Sequence, residues 1–253
     1  MFGQPNEANQ WNFDTVAQVE AVNRLLYVVE NGEPFCVLGG AYGTGKSAVM
    51  QRVAEELANS GRRAVLQNLA SLNCRAALWH LCGALSIFSH SDADSSELMI
   101  QIRDELTARA ECRHKTVVLL DDVDLAQRDV QTVLQLLMSI AEASHGHTAV
   151  LVAAERSLPF EVQQRTTLHV ELKPLDDTEA VEFAVRYLAH LECPVDDVTA
   201  TGWRAIADLS GGLPAQLMRV CNVVRAVSGM HSGPVDAALI HQAATELLPL
   251  RAA

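Results

Sequence analysis

The sequence predicts an α/β fold: a three-layer sandwich with a parallel five-stranded sheet between helices, followed by an all-helical module. Short apolar runs alternate with helical patterns between residues 35 and 172, as crossover-connected parallel strands require. The run Thr116-Val117-Val118-Leu119-Leu120 is β-branched or leucine throughout, which suits a strand buried on both faces. Beyond Lys173-Pro174 only helical patterns follow. The chain is therefore read as an N-terminal extension and helix (1–30), an α/β core (31–173) and a helical module (174–253).

The elements follow in order. Asp14 is placed to cap a helix running to about residue 29, with Val16, Val19, Val22, Leu25 and Leu26 on one stripe and Asn31-Gly32 as its stop. Strand 35–39, helix 48–59, strand 64–69 and helix 76–86 come next. A polar loop at 90–96 leads into Asp94 and Glu97, whose capping-box spacing opens a helix to about residue 110. Strand 116–121, helix 126–143, strand 148–153, a short helix from Pro159 and strand 168–172 complete the α/β part. In the helical module, Asp176 and Glu179 form a second capping box, and further helices start near Trp203, Pro214 and Val235.

Of the 253 residues 49% are apolar, enough to build a sizeable core. The net charge of −12 disfavours a broad nucleic-acid surface. Six cysteines, at 36, 74, 82, 112, 193 and 221, form no C-x-x-C pair, which suits reduced thiols in a cytoplasmic protein. No basic segment followed by an apolar leader opens the sequence, and no apolar run reaches the length of a membrane span. The expectation is a cytoplasmic chain with no direct membrane insertion. His145-Gly146-His147 has no third ligand at metal-site spacing and reads as a loop between helix and strand.

Gly40-Ala41-Tyr42-Gly43-Thr44-Gly45-Lys46-Ser47 fits the pattern G-x-x-x-x-G-K-[ST] at every fixed position. Glycines there allow a tight turn whose backbone N–H groups, continuing to Ala48 at the helix start, point at an anion, and the helix dipole adds to the attraction. Residues 40–48 would hold the phosphates of a nucleotide, ATP or GTP since the motif reads phosphate and metal rather than base, with Lys46 reaching the β- and γ-phosphates and Ser47 ligating Mg²⁺. A strand before the loop and a helix after it separate this reading from a glycine-rich turn that merely ends in Lys-Ser. About seventy residues on, Val117-Val118-Leu119-Leu120-Asp121-Asp122 has the form of a Walker B strand. Its carboxylates fall at the strand's C-terminal edge, where open α/β sheets bind ligands. Asp121 would hold Mg²⁺ through its water shell, and Asp122 would polarise the attacking water. Asp124 reads as a capping residue.

The motifs Gly43-Thr44-Gly45-Lys46-Ser47, Leu119-Leu120-Asp121-Asp122, Leu172-Lys173-Pro174-Leu175-Asp176 and Leu209-Ser210-Gly211-Gly212-Leu213-Pro214 occur in that order. In this order the chain resembles the additional-strand P-loop NTPases and, through its helical lid, the AAA+ class. More closely it resembles the secretion-pathway A (ExeA/GspA-type) ATPases and the related transposition ATPases of the MuB, TnsC and TniB kind. The resemblance covers about residues 12–248. It implies ATP with Mg²⁺, a homo-oligomer (a hexamer-type ring or a filament) and a protein partner not identified by the sequence. It also implies catalytic roles for Lys46 and Asp122, and for Arg165 as an arginine finger offered to a neighbour's nucleotide, worth about 10³–10⁵ in rate. The other reading of Arg165 is a surface ion pair or a helix C-terminal charge; Arg156 and Arg128 are the next candidates.

Three positions depart from the family pattern. Asp122 stands where a glutamate is usual. The end of the fourth strand, where a polar sensor 1 is usual, reads Val152-Ala153-Ala154-Glu155. After Ser210-Gly211-Gly212-Leu213-Pro214, Ala215 and Gln216 replace the common sensor 2 arginine, and the nearest arginine is Arg219. The resulting expectation is an AAA+ switch with slow or partner-dependent hydrolysis. The alternatives are a non-catalytic nucleotide-gated scaffold and an ATP-dependent DNA-binding ATPase, the latter disfavoured by charge.

Overall fold

The computed structural model describes residues 15–156, 158–229 and 233–247. The chain forms two compact units, one comprising 17–41 and 45–172, the other the loop tip 42–44 with the residues from Lys173 on.

The first unit is built on a sheet of β1 (Phe35–Gly40), β2 (Arg63–Asn68), β3 (Thr116–Asp121), β4 (Thr148–Ala154) and β5 (Leu168–Leu172). All pairings are parallel, in the order β2-β3-β4-β1-β5. The three central strands, β1, β3 and β4, are buried along their whole length, which explains their unbroken apolar sequence. One face is covered by α1 (Val16–Glu30) and α2 (Lys46–Asn59), which bury Leu25, Met50, Val53 and Leu57 against Leu38, Leu119 and Leu151. The other is covered by α3 (Cys74–Leu85), α4 (Ser95–Glu111) and α5 (Gln131–Ala143), with Leu78, Leu81, Ile102 and Leu137 packed on Val118, Val150 and Val152. The short α6 (Phe160–Gln164) precedes β5. The parallel sheet between helical layers is the fold class read from the sequence.

Two local readings are corrected. The stripe of α1 is not the one expected: Val16 is 77% and Val19 45% exposed, whereas Gln18, Ala21, Val22, Leu25, Val28 and Val29 are buried. A step of three residues lags the 3.6-residue turn, so the stripe counted from Val16 starts off the buried face and reaches it only at Val22 and Leu25. Asp14, the proposed cap, lies outside the described residues. The helix expected at 126–143 begins only at Gln131 and is preceded by two 3-10 turns, Val123–Leu125 and Arg128–Val130. Their acidic side chains bond elsewhere: Asp124 accepts from the backbone N–H of Glu155 (3.1 Å) and Arg156 (3.3 Å), and Asp129 from that of Cys74 (3.0 Å). The capping box of α4 is present as read, with Asp94 Oδ1 accepting from Glu97 N–H at 2.9 Å.

The second unit contains α7 (Asp177–His190), α8 (Ala200–Ser210), α9 (Pro214–Ser228) and α10 (Ala237–Leu247). They close on a core of Phe183, Leu188, Ile206, Leu217, Val220 and Ile240. Asp176 and Glu179 form the second capping box. Two motifs distant in sequence are joined here. Leu175 N–H donates to the Gly212 carbonyl at 2.8 Å. Gly212 has φ +70, and a Cβ there would run into the Leu175 carbonyl oxygen. Only glycine suits both the backbone angle and the close approach.

Five cysteines are buried, and Cys112, the residue capping the end of α4, is exposed. Burial pushes the Cys36 and Cys221 thiols up to about 12. No helix among the described residues is long and apolar enough to cross a membrane.

Candidate nucleotide site

The strand order sets the site. Strand β4 lies between β1 and β3, so the loop leaving β1 and the carboxylates ending β3 flank the C-terminal end of β4. Residues 40–45 form that loop. Gly40, Gly43 and Gly45 have φ of 147, 89 and 101, angles at which a Cβ is strained. Gly45 is the residue before α2, and a Cβ on it would strike the amide nitrogen of Gln18, a buried residue of α1. Sequence reading missed Gln18 because its contact is non-local and its helix stripe was misplaced.

Lys46 and Ser47 open α2, and Ala48 follows as an exposed residue of the same turn. Lys46 is 7% exposed, and its ammonium donates to the carbonyls of Gly40 (2.7 Å) and Ala41 (3.2 Å). It is thus folded over the loop, a buried cation that two neutral acceptors satisfy. A phosphate in the loop would supply an anionic acceptor, which makes a stronger bond.

Asp121 is 5% exposed. Burial raises its carboxyl above the usual carboxylate range and the adjacent Asp122 adds to the rise, while the Ser47 hydroxyl bonded to it acts the other way, as does nearby Lys46. A carboxylate and a hydroxyl from different elements, already paired, are hard oxygen donors of the kind Mg²⁺ takes in phosphate sites. A dication beside them would also offset the cost of holding Asp121 ionised. The residues present therefore fit both ATP phosphates and Mg²⁺.

Asp122 is turned away from the β geometry of its strand, with φ 52. Its carboxylate accepts from the side-chain amide of Asn68 at 2.7 Å, and its N–H donates to Asp121 at 3.0 Å. Asn68 ends β2 in register with Asp121, and its other amide atom accepts from Ala70 N–H at 2.9 Å. It went unread in the sequence; the available sign was a polar residue closing a strand beside the acidic one. The end of β4 carries Ala153 and Ala154, both buried and on opposite faces of the sheet, so β4 ends without a polar side chain there. Glu155 is exposed.

Arg165, which caps the end of α6, binds Glu142 of α5 through two bonds of 2.8 and 2.7 Å. Arg165 is thus engaged within its own chain. Arg219 is an exposed residue of α9. His145 and His147 belong to no cluster of three metal-binding side chains among the described residues.

A parallel sheet with a phosphate loop after its first strand and a buried aspartate closing its third defines a P-loop nucleotide-binding protein. The sequence profile of one such family, the AAA ATPase domain, matches residues 17–152, and the chain belongs to that family. It is 26% identical over 211 residues to general secretion pathway protein A of Aeromonas hydrophila, covering 80% of this chain but only 38% of that protein. Among solved structures it is similar to Cdc6p from Pyrobaculum aerophilum, with a TM-score of 0.75 and 14% identity over 96% of this chain and 70% of the other. Drosophila ORC bound to DNA gives a TM-score of 0.72 at 14% identity, over 98% and 71%. The RuvB Holliday junction branch migration motor of Thermotoga maritima gives 0.62 at 15%, over 91% and 68%. At such identities these structures speak for the fold alone.

Proposed function

We propose that this chain is a MgATP-binding AAA+ switch whose intrinsic hydrolysis is slow and which works on a protein assembly through nucleotide-dependent oligomerisation. The observation that carries the reading is a contrast within one site. Lys46, Ser47 and Asp121 are gathered for binding, whereas the carboxylate of Asp122 is held by Asn68 and β4 adds no polar side chain. Bound ATP and Mg²⁺ would supply the phosphoanhydride and the charge that activates it. Lys46 would transfer its hydrogen bonds from the Gly40 and Ala41 carbonyls to phosphate oxygens, and Ser47 with Asp121 would hold the metal. Asp122 has one carboxylate oxygen engaged by Asn68 and the other available to accept from a water. The Asn68 amide holds the carboxylate toward β2, so it would orient an attacking water poorly.

Arg165 supports the oligomeric part of the reading. Its pairing with Glu142 is partly exposed, with side-chain exposures of 31% and 46%, and such a pair holds by no more than about 1 kcal/mol. A neighbouring subunit's nucleotide would outbid it. The likeness to general secretion pathway protein A favours a protein partner over DNA, and the net charge of −12 points the same way.

The test measures ATP affinity, phosphate release and mass in solution on the native chain, Lys46→Ala and Asn68→Ala. We expect binding and an ATP-dependent rise in mass that Lys46→Ala removes, and a basal turnover that Asn68→Ala raises about 2–10-fold by freeing Asp122. Turnover of about 1–10 per second by the dilute native protein would overturn slow hydrolysis. A mass indifferent to nucleotide would overturn the oligomeric switch. ATP-dependent assembly with no phosphate release at any protein concentration would leave a nucleotide-gated scaffold instead.

A further inference from the structure

Helices α4 and α5 do not close on each other along their whole length. They leave a groove of about 710 Å³ on the first unit. It opens beside Ser144 and His147, which precede β4, and so lies toward the edge of the sheet opposite the phosphate loop. Its floor is apolar, formed by Met99 of α4 with Leu136 and Ile140 of α5. Arg103 and Arg113 stand on its rim, both exposed.

These two arginines differ from six others in the chain. Arg24, Arg52, Arg62, Arg109, Arg165 and Arg186 are each ion-paired to a glutamate. No ion pair is formed by Arg103 or Arg113 among the described residues. Glu111 shares the rim, and the imidazoles of His145 and His147 line the groove at its strand end. The local balance is therefore cationic over an apolar floor, on a chain whose net charge is −12.

From this we infer that the α4–α5 groove is a docking site for an acidic amphipathic helix of a partner protein. Apolar side chains at i, i+3, i+4 and i+7 would fill the floor, and flanking carboxylates would meet Arg103 and Arg113. The rest of this acidic surface repels such a segment, which confines it to the groove and fixes its register. An extended polyanion such as DNA would leave Leu136 and Ile140 uncovered. The inference does not depend on nucleotide binding, because none of these residues belongs to the nucleotide site.

The test uses a fluorescein-labelled amphipathic peptide of about 18 residues, long enough for five helical turns, with leucines on one face and glutamates on the other. Its lysine-for-glutamate counterpart and a single-stranded oligodeoxynucleotide serve as controls, and binding is read by fluorescence anisotropy. The native chain is compared with Arg103→Glu/Arg113→Glu and with Leu136→Asp, each checked for folding by circular dichroism and for unchanged ATP affinity. The glutamate peptide should bind, the lysine peptide at least about tenfold more weakly, and each variant should lose about tenfold or more for the glutamate peptide. Failure of the glutamate peptide to bind, equal binding of both peptides, or binding untouched by the variants would overturn the inference. So would an oligonucleotide that competes through Arg103 and Arg113, which would mark a phosphate-binding surface. A change in the chain's own mass in Leu136→Asp would mark a contact between copies and overturn it as well.

Discussion

On the proposed phosphate side of the candidate site, Lys46 is buried over the loop carbonyls and Ser47 is bonded to Asp121. On the proposed water side, Asp122 leans on Asn68, and β4 ends in two alanines. The first group is built from a turn, the helix that follows it and one buried strand end, so its geometry is set by the core. The second depends on side chains from strands that meet only across the sheet. On the proposed reading, binding would stay rigid while the hydrolytic group would be tuned by a single amide.

The strongest way to break this contrast is to remove the cation. Lys46→Ala should weaken ATP binding about 10–100-fold, the loss of charge-assisted hydrogen bonds, measured by titration with a fluorescent nucleotide. An unchanged affinity would mean that the loop is not the phosphate site. Next is the backbone. Gly45→Ala forces a Cβ onto φ 101 and against Gln18, and should cost about 1–3 kcal/mol of stability, seen as a fall in the denaturant midpoint. The double variant with Gln18→Ala should recover part of it, since the steric part then disappears and the backbone strain persists.

A smaller effect sharpens the role of Asp121. Burial holds its carboxyl above the usual carboxylate range, so the folded chain releases this proton less readily than the unfolded chain does. That lowers stability as pH rises from the unfolded value through the folded one, and the cost is fully present above both. Asp121→Asn should therefore raise the thermal midpoint of the nucleotide-free protein at pH 7, by an amount worth about 1 kcal/mol. With MgATP added the native chain should gain more than the variant. The smallest effect concerns Glu142, whose carboxyl Arg165 holds below the usual range. Its contribution is present above the unfolded value and is lost as pH falls through the folded one. Glu142→Gln should cost under about 1 kcal/mol and should leave thermal stability nearly flat with pH in that acid window.

Features that one segment carries alone are legible in the sequence. Strands β3 and β5 have the bounds read from their apolar runs, and both capping boxes are present because a cap uses residues three apart. The glycine turn between β1 and α2 is legible for the same reason. What escaped is non-local. Residues 123–130 have a composition compatible with helix, yet Asp124 and Asp129 bond backbone groups of β4's exit and α3's start, so the chain makes two tight turns instead. Asn68 acquires meaning through Asp122, 54 residues away, and Gln18 through Gly45, the residue before α2. Arg165 was read with two outcomes in view, and the pair with Glu142 is what the isolated chain adopts.

Cys112 has a practical consequence. The other five thiols are buried, so a maleimide dye added to the native protein should attach at one place without any engineered cysteine. That place lies in sequence between Glu111 and Arg113, two residues on the rim of the α4–α5 groove. The unaltered protein therefore carries its own optical reporter for whatever settles there.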